Sequence, residues 1–223
     1  MTDTAPTFHP ESEAVLAYAA GGLDEAHAVL VATHLALCPR CRAEVARLEA
    51  VGGALTASIE PAPMSAGALA ATLARLDEPG AEPEPSAAVA YDDETLHAIP
   101  APLRDYLGGN LSGLPWKWRG PTIRELPLSI GSGTARATLI RVRPGAAIPA
   151  HTHAGTEATL VLRGAYQDAT GRFGRGDVET ASSDLDHRPV ATADSECICF
   201  SVIDGPLSLT GPIGRLLNPF LKI

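Results

Sequence analysis

Residues 145–164 read GAAIPAHTHAGTEATLVLRG and decide the fold class of the larger part of the chain. Gly145, His151, His153, Glu157 and Gly164 follow one another there in order. On a β-strand, side chains at i and i+2 share a face, so His151 and His153 point into one cavity. A short turn, AGT, brings Glu157 onto the next strand, and ATLVLRG continues as a buried strand. A third histidine, His187 in SSDLDHRPV, lies 30 residues beyond Glu157, a distance suited to a returning strand of the same barrel. Three imidazoles and a carboxylate inside a small barrel make a site for Zn, Mn, Fe or Ni.

The sequence around this stretch has the matching texture. From about residue 91 onward, Gly and Pro punctuate short β-prone runs such as WKWRG, RELPLSI, ARATLIRV and CICFSVI. Regular turn signals between short strands predict an all-β sandwich or barrel over 91–223. Trp116 and Trp118 are expected to pack against it. Cys197 and Cys199 alternate with Ile198 and Phe200, so both thiols face one side of a strand. Their Cβ atoms should lie nearly 7 Å apart, too far for an unstrained disulfide, and a packing role is expected. The C-terminal GPLSLTGPIGRLLNPFLKI is apolar but broken by prolines and glycines, and reads as a docked tail or loop.

Residues 11–78 have a different period. SEAVLAYAAGGL, DEAHAVLVATHLAL, PRCRAEVARLEAVGGAL and SAGALAATLARLDE carry apolar residues at three- and four-residue spacing, which predicts four short helices in a thin bundle. Asp24, Pro39 and Ser65 mark helix starts, and Gly21-Gly22 and Gly52-Gly53 are expected to end helices. EPGAEPEPSAA, residues 78–88, alternates proline with acids and small residues and reads as a linker. The expected division is therefore 1–78 helical, 79–90 linker and 91–223 barrel, a multidomain α + β chain.

Within the helical part, residues 34–41 read HLALCPRC. His34 and Cys38 fall one turn apart on one helix face, and Pro39 then opens a new helix with Cys41 in its first turn. Two thiolates and an imidazole thus meet at a helix–helix corner, where tetrahedral zinc needs ligands at about 2.0–2.3 Å. His9 and His27 are the candidates for the fourth position. His27 stands about 10 Å from His34 along the helix, which favours His9 on the entry segment. A site of this kind is a structural staple for a bundle with little core.

Charge separates the two parts further. The chain carries 26 acidic and 17 basic residues, and residues 1–85 hold 12 of the acids against 4 of the bases. The helical part would repel nucleic acid and attract a basic partner. There is no basic stripe for DNA, no phosphate-cradling glycine loop and no Ser/His/Asp arrangement. The N-terminal MTDTAPTFHPESE lacks a secretion signal and no run of about 18 apolar residues occurs, so a cytoplasmic protein without a transmembrane helix is expected.

HPESEAVLAYAAGGL…HLALCPRC resembles the zinc-binding anti-sigma domain, an upstream His followed by His-x3-Cys-x2-Cys within a four-helix unit. Residues 145–164 resemble the first cupin motif. Gly176-Asp177 and His187 correspond to the second, whose usual proline and asparagine are out of register. The combination is similar, over nearly the whole chain, to the ChrR family of anti-sigma factors. The resemblance implies a zinc site at His9, His34, Cys38 and Cys41 and a second zinc or other divalent ion at His151, His153, Glu157 and His187 of a cupin jelly roll. It implies a 1:1 complex with a group IV (extracytoplasmic-function) sigma factor, inhibited by the helical domain and released through the cupin when singlet oxygen or related oxidants appear. Leu69, Leu73 and Leu76 are candidate partner contacts. The competing expectation is a cupin dioxygenase or isomerase with a zinc-bundle regulatory head. A zinc-stapled structural module without a partner leaves the acidic head unexplained.

Overall fold

A computed structural model of the protein describes residues 5–76, 78 and 89–211. The linker expected over 79–90 lies outside these residues except for Val89 and Ala90, as does the end of the C-terminal tail beyond Gly211.

Helix α1 spans Ser12–Ala19, α2 Glu25–Leu37 and α3 Pro39–Ala57. Asp24 caps α2 by accepting from the amides of Ala26 and His27. Cys38 closes α2 and opens α3 in an extended conformation, with Pro39 in the first turn of α3. This sharp corner is what the cysteine spacing anticipates. Gly52 and Gly53 do not end α3, which continues to Ala57. Neither adopts a positive φ, and the Thr56 hydroxyl donates to the Gly52 carbonyl at 2.9 Å. Glycine inside a helix costs about 1 kcal/mol relative to alanine, a weak penalty that the surrounding Ala and Leu override.

The fourth segment forms helix α4, Ala68–Leu76, but buries none of its residues. The expected four-helix bundle is therefore a three-helix core of Val15, Val31, Leu35, Val45 and the two cysteines. Leu69, Leu73 and Leu76 of α4 are 72%, 52% and 78% exposed.

The remainder is the antiparallel β structure expected, preceded by two short helices that β-texture did not predict, α5 (Asp93–Ala98) and α6 (Ala101–Arg104). Asp92 caps α5 through the Thr95 amide, and Pro100 precedes α6. The strands are β1 Lys117–Trp118, β2 Ile123–Leu128, β3 Arg136–Val142, β4 His151–His153, β5 Glu157–Arg163, β6 Ala165–Gln167, β7 Arg172–Gly174, β8 Val178–Ala181, β9 Val190–Ala191, β10 Cys197–Ile203 and β11 Leu207–Leu209. Six form one sheet in the order β1-β2-β3-β10-β5-β8, faced by a β7-β6-β9 sheet and a β11-β4 pair.

The large sheet is covered on both faces. Leu139, Leu160, Ile198, Phe200 and Val202 point outward and share one core with Ala26, Val29 and Leu30 of α2 and with Leu103 and Leu111. Val142, Val161, Cys197 and Cys199 point inward with Tyr166 and Phe173. This explains why CICFSVI is apolar on both periods of its strand and buried through its first six residues. It also joins the helical unit to the barrel through α2. Trp116 packs half-buried against this core and donates to the Leu111 carbonyl at 2.8 Å. Trp118 instead lies 50% exposed, with the Arg124 guanidinium stacked on its ring.

Candidate metal centres

At the helix corner, His9, His34, Cys38 and Cys41 converge, with ligand atoms all within 4.8 Å of one another. The Nδ1 of His9 lies 3.5 Å from both sulfurs. Tetrahedral zinc, 2.3 Å from sulfur and 2.0–2.1 Å from nitrogen, needs that separation to be about 3.6 Å. His34 is fully buried, and its Nδ1 donates to the Gly176 carbonyl at 2.7 Å. That bond fixes the tautomer and leaves Nε2 as a buried acceptor with no hydrogen-bond partner. An orphaned imidazole nitrogen facing two thiols fits a metal ion. Burial lowers the pKa of His34, and burial and Arg40 lower that of His9, so both are held neutral as ligands must be. Burial, reinforced by Cys38, pushes the Cys41 thiol up to about 11, so a proton must leave when an ion binds. His27 takes no part. Its ring pairs with Asp24 at 2.5 Å and with Asp204 at 3.7 Å.

The second cluster lies in the barrel. β4 presents His151 and His153 on one face, the first residue of β5 supplies Glu157, and His187 bridges back to His151 through reciprocal 3.1 Å backbone bonds. All four are at most 6% exposed. The His187 and His151 Nε2 atoms are 3.1 Å apart, and His153 Nε2 is 2.9 Å from Glu157 Oε2. Neither His153 nitrogen makes an aligned hydrogen bond. Two donor-capable imidazoles in direct Nε2 contact, beside a third whose Nε2 faces the Glu157 carboxylate, again fit a cation between them. Burial opposes ionisation of Glu157, but the facing His151 and His153 imidazoles and the Ser201 hydroxyl outweigh it and hold the carboxyl well below its usual range.

A second layer orients these side chains, and sequence spacing did not find it. His151 Nδ1 donates to the Pro149 carbonyl at 2.8 Å. His187 Nδ1 faces Asp168 at 3.1 Å and Glu179 at 3.6 Å. Glu179 in turn accepts from Tyr166 at 2.7 Å and Thr170 at 3.0 Å. Ser201 donates to Glu157. Burial lowers the pKa of His187, yet Glu179, Glu157 and Asp168 outweigh it and raise it. The available signal was an acidic residue in the apolar strand VETA, since a carboxylate facing a barrel interior needs a partner.

Cys197 and Cys199 are free and buried, on one face as expected. Their sulfurs approach to 3.6 Å, closer than the regular strand spacing suggests. The β10–β5 register shifts between Ile198 and Cys199, and a bulge of this kind re-aims adjacent side chains.

The turn between β7 and β8 connects the two clusters. The Asp177 carboxylate accepts from the amides of Thr7 at 2.6 Å, Phe8 at 2.9 Å and Gly174 at 2.7 Å. The Val178 amide donates to the Phe8 carbonyl, and the Phe8 ring packs on Phe173 with centroids 4.5 Å apart. His9 is therefore held by a segment laid along the barrel, and His34 by Gly176 of the same turn. Gly176 has φ +90°, and a Cβ there would meet Pro6 at 2.6 Å.

Among the described residues, no helix is long and apolar enough to cross a membrane. Comparison with known proteins matches residues 107–207 to the ChrR cupin-like domain and residues 12–42 to a zinc-finger family. The anti-sigma-E factor ChrR of Cereibacter sphaeroides is 43% identical over 216 residues, spanning 96% of this chain and 98% of that protein. A crystal structure of Rhodobacter sphaeroides SigE in complex with the anti-sigma ChrR aligns with a TM-score of 0.77 at 41% identity, over 89% of this chain and 100% of that one. With the relationship extending across both candidate clusters and the turn between them, the chain belongs to the ChrR family of anti-sigma factors.

Proposed function

We propose that the chain binds and inhibits a group IV (extracytoplasmic-function) sigma factor, one to one and in the cytoplasm, and releases it when singlet oxygen or a related oxidant acts on the barrel. Residues 1–78 form the inhibitory unit and 91–223 the receiving unit. The curated relative's name and the solved complex with SigE support the partner and favour a regulator over an enzyme. The excess of acids in residues 1–85 suits a basic partner. The uncovered leucines of α4 supply an apolar contact surface beside it.

His9, His34, Cys38 and Cys41 hold zinc, and His151, His153, Glu157 and His187 hold a second divalent ion. When bound, the first cross-links the helix corner and the second gathers the barrel's imidazoles around one charge. The observation that carries the coupling is the β7–β8 turn. Gly176 holds a ligand of the first site, Asp177 holds the segment carrying another, and Glu179 lies against His187 of the second site. A shift of His187 has a three-residue path to His34. Moving a complex from 1:99 to 99:1 takes about 5.5 kcal/mol, and loss of a zinc worth roughly 10 kcal/mol covers it.

The test is copurification from cells with metal analysis. The chain should bring down an equimolar sigma factor, contain two ions, and lose the partner on oxidant exposure. A chain that is folded and inhibitory without stoichiometric metal contradicts the reading.

A further inference from the structure

One row of side chains crosses the outer face of the large sheet. Trp118 of β1 stands opposite Arg124 of β2, Arg124 opposite Arg141 of β3, Arg141 opposite Ile198 of β10, and Ile198 opposite Arg163 of β5. Directly opposed residues share a face, so the three guanidinium groups lie in line. Two of them meet a carboxylate. Arg163 pairs with Glu94 of α5 at 2.6 Å and Arg141 with Glu196 at 2.8 Å. Arg124 makes no ion pair among the described residues, and neither does Arg143. The Arg124 guanidinium sits 4.1 Å over the Trp118 ring, and that of Arg143 lies 5.3 Å from it. Two cations without counter-ions thus flank a half-exposed indole, at the opposite end of the row from Glu94.

The chain itself carries the counterpart. Residues 79–85 read PGAEPEP, with Glu82 and Glu84 among prolines. Such a stretch favours the polyproline conformation, about 3.1 Å per residue, which docks on exposed aromatic side chains. Its carboxylates match the guanidinium fork. It leads into α5, where Asp92 donates its amide to Asn110 at 2.7 Å. The neighbouring Leu111 carbonyl holds Trp116, two residues before Trp118. Glu84, eight residues ahead of Asp92, reaches about 25 Å back from it in that conformation. The whole row from Arg163 to Trp118 crosses four strand spacings, roughly 19 Å.

We infer that Trp118, Arg124 and Arg143 form the docking surface for residues 79–85 of the same chain, with Glu82 and Glu84 as counter-ions and the prolines against the indole. Tethering supplies that stretch at an effective concentration on the order of millimolar, which favours it over acidic segments of other molecules. The contact ties the end of the helical unit to the barrel, and it rests on neither ion and on no sigma factor.

The experiment is two-dimensional NMR of the isotope-labelled full chain, with the Trp118 indole resonance assigned by Trp118→Phe. Overhauser contacts should join linker proline protons to the Trp118 indole. Glu82→Gln with Glu84→Gln, which touches neither metal cluster nor core, should shift that resonance and abolish the contacts. With Arg124→Gln and Arg143→Gln also present, the same pair of changes should leave the resonance unmoved. Arg143→Gln alone, which should reduce the response, serves if the double variant fails to fold. Salt of about 1 M, which shortens the screening length to about 3 Å, should act as the glutamine changes do. An indole resonance indifferent to Glu82 and Glu84, or the absence of proline contacts, overturns the inference. A contact that fades on dilution belongs to a second copy and overturns it as well.

Discussion

The helix corner and the barrel each gather four candidate ligands, yet they differ in what a bound ion would do. At the corner, three of the proposed ligands come from eight residues of sequence, and a bound ion would reinforce a core of only a few side chains. In the barrel, the proposed ligands are spread from His151 to His187, with His151, Glu157 and His187 each braced by a further partner, inside sheets with their own cores. On the proposed reading, one ion would make a fold and the other would sit in a fold already made. The same Lewis-acid chemistry would then serve as staple in the first region and as receiver in the second, with the β7–β8 turn touching both.

The largest effect should come from breaking the staple. Cys38→Ser should abolish the first zinc, worth about 10–16 kcal/mol in small zinc units, and with it partner capture. Calorimetry should still show the barrel's unfolding transition. A variant that keeps both ions and its partner would erase the distinction between the regions. Protons probe the same site. With the Cys41 thiol held up to about 11, zinc must displace at least one proton, so its affinity should fall at least about tenfold per unit as pH drops from 8 to 6. Competition with a chelator of known affinity measures this slope.

Next comes the connection. Asp177→Ala leaves three backbone amides without their acceptor, each costing about 1–3 kcal/mol where buried. Both ions should stay, the melting temperature should fall, and oxidant should no longer release the partner. Release at the normal rate would place the coupling elsewhere.

The smallest change sharpens the barrel side. Asp168→Asn removes the charge facing His187 Nδ1 and should weaken the second ion about 10–100-fold. The first zinc should be unaffected, as metal-specific competition can read.

The core of each proposed ligand set was legible because its spacing is local, whereas His9 and His187 stand 25 and 30 residues from their nearest partners. His-x3-Cys-x2-Cys is set by one helix turn and a proline corner, and His-x-His by the strand period. Asp168, Glu179 and Ser201 were not legible, since tertiary pairing alone brings them to the ligands. The bond from His34 to Gly176 spans 142 residues and has no sequence rule. Gly52-Gly53 misled because an unfavourable propensity was treated as a stop. Helix α4 misled differently. Its leucines have helical spacing, which signals a face to be covered but not whether this chain covers it. The apolar run of CICFSVI carried the reverse information, since its outward side is buried by α2 and α5–α6.

The most direct measurement removes the receiver and leaves the staple. His153→Ala in the full chain should contain one zinc, capture the sigma factor as tightly as the unaltered chain, and fail to release it under singlet oxygen. A variant that loses its grip without oxidant, or releases its partner as the unaltered chain does, contradicts the division of labour between the two sites.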